Sequence, residues 1–346
     1  MSENLLPAFL NTLCREAAIY EKAAGAVVRC LACAHRCVIA PGGRGRCSVR
    51  FNDGGKLQAP WGYISGAAAD PIEKKPFFHA LPGARTLSFG MFGCNFTCDF
   101  CQNNDISGFR GRSLSPLETD PETMAAEAAS LGLKALVSTY NEPLITAEWA
   151  AALFSAAKAR GLRTAFVSNG YATPEAAAFL RPVLDFWKAD LKSFDPEKYR
   201  RVCGAELAAV RAGIETIKAG GFWLEVVTLL IPGFNDSDAE IAAMASYLAG
   251  LSRNIPWHLT AFHPDHLRTA APPTPAATLL RARDIALKKG LRYIYCGNVP
   301  GAGGEDTVCP ACSAKLVERR GFSVHSRLIG ADGNCPCGET IPGIWS

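Results

Sequence analysis

"TLSFGMFGCNFTCDFCQN", residues 86–103, runs from a short apolar segment straight into three cysteines within eight positions. Cys94, Cys98 and Cys101 are spaced Cys-x3-Cys-x2-Cys, and no further Cys or His occurs in the next hundred residues. Thiolates are soft ligands that suit zinc and iron-sulfur clusters. A structural zinc site and an ordinary cubane cluster both close with four protein ligands. Three ligands on a four-iron cluster leave one iron open to a substrate or cofactor.

The apolar run before the loop is the first of several. Between about residues 85 and 300 such runs alternate with alanine-rich helical stretches, the pattern of βα units that build a parallel sheet. "TLSFG", "ALVST", "TAFVSN", "DFWKAD", "WLEVVTLLI", "WHLTAF" and "RYIYCG" read as strands, and residues 121–132, 146–161, 173–183, 204–221 and 236–250 as helices, several with a Ser, Thr or Asp start and a Gly stop. Six or seven such units predict an α/β fold, a partial (βα)6 TIM-like barrel over residues 81–300. In such barrels functional residues sit at the carboxyl ends of strands. Tyr140, Asn141 and Glu142 follow the second run, Asn169 and Gly170 end the third, Asp190 and Lys192 follow the fourth, and His263 follows the sixth. Each also has a plain reading as a strand-end cap or turn residue.

The flanks differ. Residues 1–80 form a cysteine-rich extension with Cys30, Cys33, Cys37 and Cys47; residues 301–346 form a cysteine-paired tail with Cys309, Cys312, Cys335 and Cys337, joined through the linker-like "PGAGGED" at 300–306. Only Cys14, Cys203 and Cys296 of the fourteen cysteines stand alone, and they read as packing thiols. A chain of 346 residues has no need of a disulfide scaffold, and clustered cysteines in a reducing compartment hold metal. Glu3 precedes any basic residue and Pro7 interrupts the opening apolar run, which argues against a secretory leader and for a surface helix. No segment reaches the roughly 20 apolar residues of a membrane span. These features place the protein in the cytoplasm, with no membrane partner.

The cysteine loop after a first barrel strand, with the aromatic Phe100 just before the third cysteine, resembles the radical S-adenosylmethionine (radical SAM) superfamily. The resemblance implies a [4Fe-4S] cluster on Cys94, Cys98 and Cys101 whose open iron chelates S-adenosylmethionine (SAM). An electron from a donor such as flavodoxin or ferredoxin then cleaves SAM to methionine and a 5'-deoxyadenosyl radical. Further segments resemble the pyruvate formate-lyase activating enzymes. "TYNEP" (139–143) occupies the place of the segment that contacts the SAM amino group, without the usual Gly-Gly-Glu, and implies Glu142 as its acceptor. "VSNG" (167–170) implies Ser168 and Asn169 as ribose and carboxylate contacts. "KADLKSF" (188–194) implies Asp190 at a cation and Lys192 near the cofactor. "LLIPGFND" (229–236) resembles the segment along which adenine packs, and "AFHPD" (261–265) implies that His263 faces the same cavity.

"CLACAHRCVIAPGGRGRC" (30–47) fits four-coordinate zinc and an auxiliary iron-sulfur cluster equally; His35 reads as a solvated or supporting histidine. "CPAC" and "CPCG" in the tail read like a zinc ribbon with one short knuckle, a metal site that holds the tail's fold. Together with "ADPIEKKPFFH" and "CGETIPG", these segments resemble the radical SAM member of the AmmeMemoRadiSam system over nearly the whole chain, which implies Memo-type and AMMECR-type protein partners. Three functions follow: hydrogen abstraction from a small molecule or peptide, activation of a glycyl-radical enzyme, or a non-catalytic iron-sulfur or zinc interaction protein. A formal charge of only +4 and no dense basic tract argue against nucleic acid, and "RGRSLS" (110–115) reads as a solvated loop.

Overall fold

The computed structural model describes residues 5–108 and 115–346, so most of the "RGRSLS" segment lies outside the described residues. Seven parallel strands form the centre: β1 (Arg85–Gly90), β2 (Ala135–Ser138), β3 (Arg163–Ser168), β4 (Phe186–Asp190), β5 (Trp223–Leu230), β6 (Trp257–Ala261) and β7 (Ile294–Gly297). Each pairs with its sequence neighbour in the order β7-β6-β5-β4-β3-β2-β1. The order never closes on itself, so the sheet is an open, partial barrel one strand wider than the (βα)6 expectation. Residues Gly66–Pro71 add an antiparallel edge strand beside β1. Composition puts those residues in the N-terminal extension; the hydrogen-bond ladder puts them in the main sheet.

Helices α1 (Pro121–Ser130), α2 (Ala147–Ala159), α3 (Pro174–Leu180), α4 (Leu207–Ala219), α5 (Asp238–Leu251) and α6 (Ala276–Lys288) supply the crossovers. Their starts are chemical: the side chains of Asp120, Thr173 and Ser237 each accept a backbone N–H of the first turn, and proline opens α1 and α3. Strands covered by helices are buried on both faces, which is why all four residues of β2 are buried. An aromatic ladder joins α2 to the sheet, with ring centroids 5.6 Å apart for Phe154 and Phe166, 5.4 Å for Phe166 and Trp187, and 5.2 Å for Trp187 and Phe222.

The floor of the barrel is polar. Lys188 on β4 lies opposite Glu225 on β5, both fully buried, and His258 on β6 approaches Glu225 Oε2 at 2.6 Å. The Phe78 and His79 backbone amides donate to the same carboxylate at 3.0 Å each. The tail docks beneath: Trp345, Ile341 and Leu316 pack with Phe78 and Tyr295, and Ala80 bridges Ile344. In the extension, small antiparallel sheets carry the cysteines. Leu5–Thr12 is helical as the opening run suggests. Among the described residues no helix is long and apolar enough to cross a membrane.

Candidate active site

The loop after β1 is held by asparagines and a glycine. Asn141 Oδ1 accepts from the Met91 amide at 3.0 Å, and its Nδ2 donates to the Gly93 carbonyl at 3.1 Å. Gly93 has φ +92°, and a Cβ there would lie 2.8 Å from the Cys47 carbonyl oxygen and from Val49 Cγ1. Only glycine allows the loop to lie that close to the N-terminal extension. The Phe96 amide donates to Cys94 Sγ at 3.4 Å, and Ser107 Oγ lies 3.4 Å from Cys101 Sγ. Hydrogen bonds to sulfur favour the thiolate that a metal needs. Phe100 is buried against Phe234, and the Asp99 carboxylate takes both a 3.0 Å and a 2.8 Å bond from Arg268, tying the loop to the segment after β6.

Sequence reasoning overlooked one neighbour. Cys203, read as an isolated packing thiol, is fully buried and hydrogen-bonds Cys98, while its carbonyl accepts from the Thr97 amide at 3.0 Å. The 105-residue separation from Cys98 hid it, and no local signal marks it. Cys203 is not among the cavity-lining residues, whereas Cys94, Cys98 and Cys101 are.

Glu142 at the end of β2 is 1% exposed and is the hub of the adjoining wall. Its Oε1 accepts from the Leu144 amide at 3.0 Å and from Ser168 Oγ at 2.8 Å, and its Oε2 accepts from the Asn169 amide at 2.7 Å. Three of its roughly four lone-pair sites are thus filled. Burial pushes the carboxyl up to about 7 against these donors. Asn169 Nδ2 donates to Asn95 Oδ1 at 2.6 Å, joining β3 to the cysteine loop. After β4, Lys192 Nζ bonds Asp190 Oδ2 at 2.6 Å and lies 5.8 Å from the Phe100 ring centre. Burial is the largest single influence and opposes its charge, but Asp190 together with the Cys98 and Cys203 sulfurs outweighs it and raises the ammonium well above its usual value. Asn235 fixes the "LLIPGFND" turn by donating to the Lys192 and Leu229 carbonyls at 2.8 Å each.

These residues share one cavity of about 550 Å³, lined by Cys94, Cys98, Phe100, Cys101, Glu142, Ser168, Asn169, Asp190 and Lys192, and on the far side by Leu229, His258, Tyr295 and the tail residue Phe322. His263 is not brought there: it is exposed and absent from the lining, because the chain turns outward after Phe262. In the tail, Cys309, Cys312, Cys335 and Cys337 place their sulfurs all within 4.8 Å of one another, with Cys309 and Cys337 at 3.7 Å and Cys312 and Cys335 at 3.6 Å. That group could hold a metal ion.

Comparisons agree with the cysteine loop. A family model described as the radical SAM superfamily matches residues 89–245. An uncharacterized protein of Methanocaldococcus jannaschii is 38% identical over 333 residues, 94% of this chain and 98% of that protein. The benzylsuccinate synthase activating enzyme of Thauera aromatica is 33% identical over 109 residues, 31% of this chain and 33% of that enzyme. Among solved structures, Streptococcus suis SuiB bound to its precursor peptide SuiA aligns with 66% of this chain and 51% of its own, at a TM-score of 0.49 and 12% identity. With a family match that spans the end of β1, the cysteine loop and strands β2 to β5, and a relative that matches almost end to end, the chain belongs to the radical SAM superfamily of enzymes.

Proposed function

We propose that Cys94, Cys98 and Cys101 hold a [4Fe-4S] cluster on which SAM is cleaved reductively to a 5'-deoxyadenosyl radical, and that the radical takes a hydrogen atom from a small molecule or peptide. The observation that carries this reading is the convergence of the three thiols with Glu142, Ser168, Asn169, Asp190 and Lys192 on one cavity. The cluster and SAM supply the electron chemistry; the protein supplies position and electrostatics. Glu142 keeps one lone pair for the SAM ammonium, Ser168 and Asn169 face its ribose and carboxylate, and Lys192 sets a fixed positive charge beside the thiolates. His263 has no part in this reading. A cytoplasmic setting, a flavodoxin- or ferredoxin-type donor and Memo-type and AMMECR-type partners belong to the same proposal, on the resemblance of the quoted segments.

Anaerobic incubation of cluster-loaded protein with SAM and dithionite tests it: 5'-deoxyadenosine should accumulate, and its absence from fully loaded protein would leave a binding role instead. Glycyl-radical activation is the second reading, favoured by the similarity to an activating enzyme. It would give a glycyl radical signal on a partner. The tail residues Gly321 and Phe322 wall the cavity and favour the smaller substrate.

The Glu142 carboxyl, raised to about 7 by burial, gives a pH prediction. The ionised form accepts the SAM ammonium and predominates above that value. SAM affinity should therefore tighten from about pH 6 to about 8, and Glu142→Gln should flatten the profile and weaken binding about tenfold or more, the loss of one charge-assisted bond. Isothermal titration of loaded protein measures both; a pH-independent affinity in the wild type would remove Glu142 from the ammonium site.

For the tail we propose zinc. Two Zn–S bonds of about 2.3 Å at a tetrahedral angle separate the sulfurs by about 3.8 Å, close to the spacings seen there. Cys312→Ala should lose about one zinc per chain, and limited proteolysis should then open the tail after residue 306. Unchanged zinc content would refute the assignment.

A further inference from the structure

We propose that Cys30, Cys33, Cys37 and Cys47 are the four ligands of a second iron-sulfur cluster, packed against the cysteine loop through Asn95. The thiols are brought together by the fold. The strand Val28–Cys30 pairs with both Tyr20–Lys22 and Val38–Ile39, the Cys30 amide donates to the Cys37 carbonyl at 2.9 Å, and the Gly-rich turn at 42–45 returns the chain to Cys47. Cys30, Cys33 and Cys47 are buried, and all four are free of disulfides.

Polar donors surround the sulfurs. The Ala32 amide bonds Cys30, the His35 amide bonds Cys33, and the Val49 and Arg50 amides bond Cys47. The Arg46 amide donates to Cys37 Sγ at 3.4 Å. A buried cation completes the set: the Arg50 guanidinium, 1% exposed, places Nη1 4.0 Å from Cys30 Sγ while it donates to the Ile145 carbonyl and to Glu148. A packing thiol needs none of these donors.

The spacing separates a cluster from a single ion. In the tail the sulfurs touch in pairs, and among the described residues that group alone has three or more ligand atoms all within 4.8 Å. In the extension no three of the four sulfurs lie all within 4.8 Å of one another, and the same holds for Cys94, Cys98 and Cys101. Ligands on separate irons require that wider frame, whereas ligands on one zinc do not.

Asn95 supplies the independent pointer. It is 1% exposed, and its Nδ2 has no acceptor within bonding distance, although its side chain lies beside Cys33. A buried amide donor without an oxygen partner is costly unless an anionic group accepts it. The other end of the same side chain takes the Asn169 bond and lies 3.9 Å from Cys94 Sγ. His35 is no ligand in this arrangement: its Nε2 lies 2.9 Å from the Asn95 carbonyl oxygen, and it braces that residue.

Iron, sulfide and zinc analysis with electron paramagnetic resonance of dithionite-reduced, anaerobically purified protein tests the assignment. The wild type should hold about eight irons per chain. The triple variant Cys94→Ala, Cys98→Ala, Cys101→Ala should keep half of them, with a cluster signal. The double variant Cys33→Ala, Cys47→Ala should lose that half while it retains the tail's zinc, which reports that the chain has folded. A triple variant without iron and with twice the zinc of the double variant would overturn the proposal, as would a triple variant with no metal beyond the tail's. Failure of the cysteine-loop reading looks different: the wild type and the triple variant would then hold equal iron.

Discussion

Cys98→Ala is expected to bring 5'-deoxyadenosine formation down to background in the anaerobic assay with dithionite, and to remove the iron bound at the loop. Cys98 is one of only three thiols on that face of the cavity. A cubane left with two protein ligands would lose its anchorage and expose its edge. Cys203 offers no replacement, because it is fully buried and absent from the cavity wall. Cys203→Ala should therefore retain cleavage. The opposite pattern, with activity surviving Cys98→Ala and lost in Cys203→Ala, would make Cys203 a ligand and leave no open iron for SAM.

Glu225→Leu is expected to cost about 3–5 kcal/mol of stability, seen as a lower Tm by circular dichroism, because it strands a buried cation. Glu225 accepts from two backbone amides and from Trp223 Nε1, all at 3.0 Å, and faces Lys188 at 3.4 Å and His258 at 2.6 Å. Burial alone would raise its carboxyl, but the Lys188 charge and the His258 bond hold it well below the usual range. The stability it contributes is thus present above the unfolded carboxyl value of 4.5 and is lost as pH falls below it. Lys188 works on the alkaline side: burial pushes it down to about 8 from 10.5, so stability rises with pH across that window. Adding Lys188→Met to Glu225→Leu should recover most of the loss. A double variant as unstable as the single would show that the amide contacts, not the charge pair, set the cost.

The parallel sheet was legible because each strand is a short apolar run bounded by turn residues, and all seven runs became strands. The edge strand Gly66–Pro71 was not, since "GAAADP" has neither β-branched residues nor alternation; only the β1 ladder makes it a strand. Helix α6 was passed over although Pro275 and Gly290 bracket it, because four charges dilute its apolar stripe. The site was read from unusual residues after strands, and Glu142, Asn169, Asp190 and Lys192 line one cavity with the three cysteines. The same rule misplaced His263, since a residue two positions past a strand end can follow the chain outward. The buried floor left a trace that went unread: Lys188, Glu225 and His258 are ionisable residues in the middle of mostly apolar strands. Nothing in spacing could reveal Cys203 beside Cys98 or Asn95 beside Cys33.

The contact at Gly93 carries a structural corollary. The Cys47 carbonyl and the Val49 side chain together define the gap between the cysteine loop and the Cys47 turn, and a single added methyl group would overfill it. Neither segment can shift at this point without moving the other, so the N-terminal extension and the barrel meet there as a fitted pair.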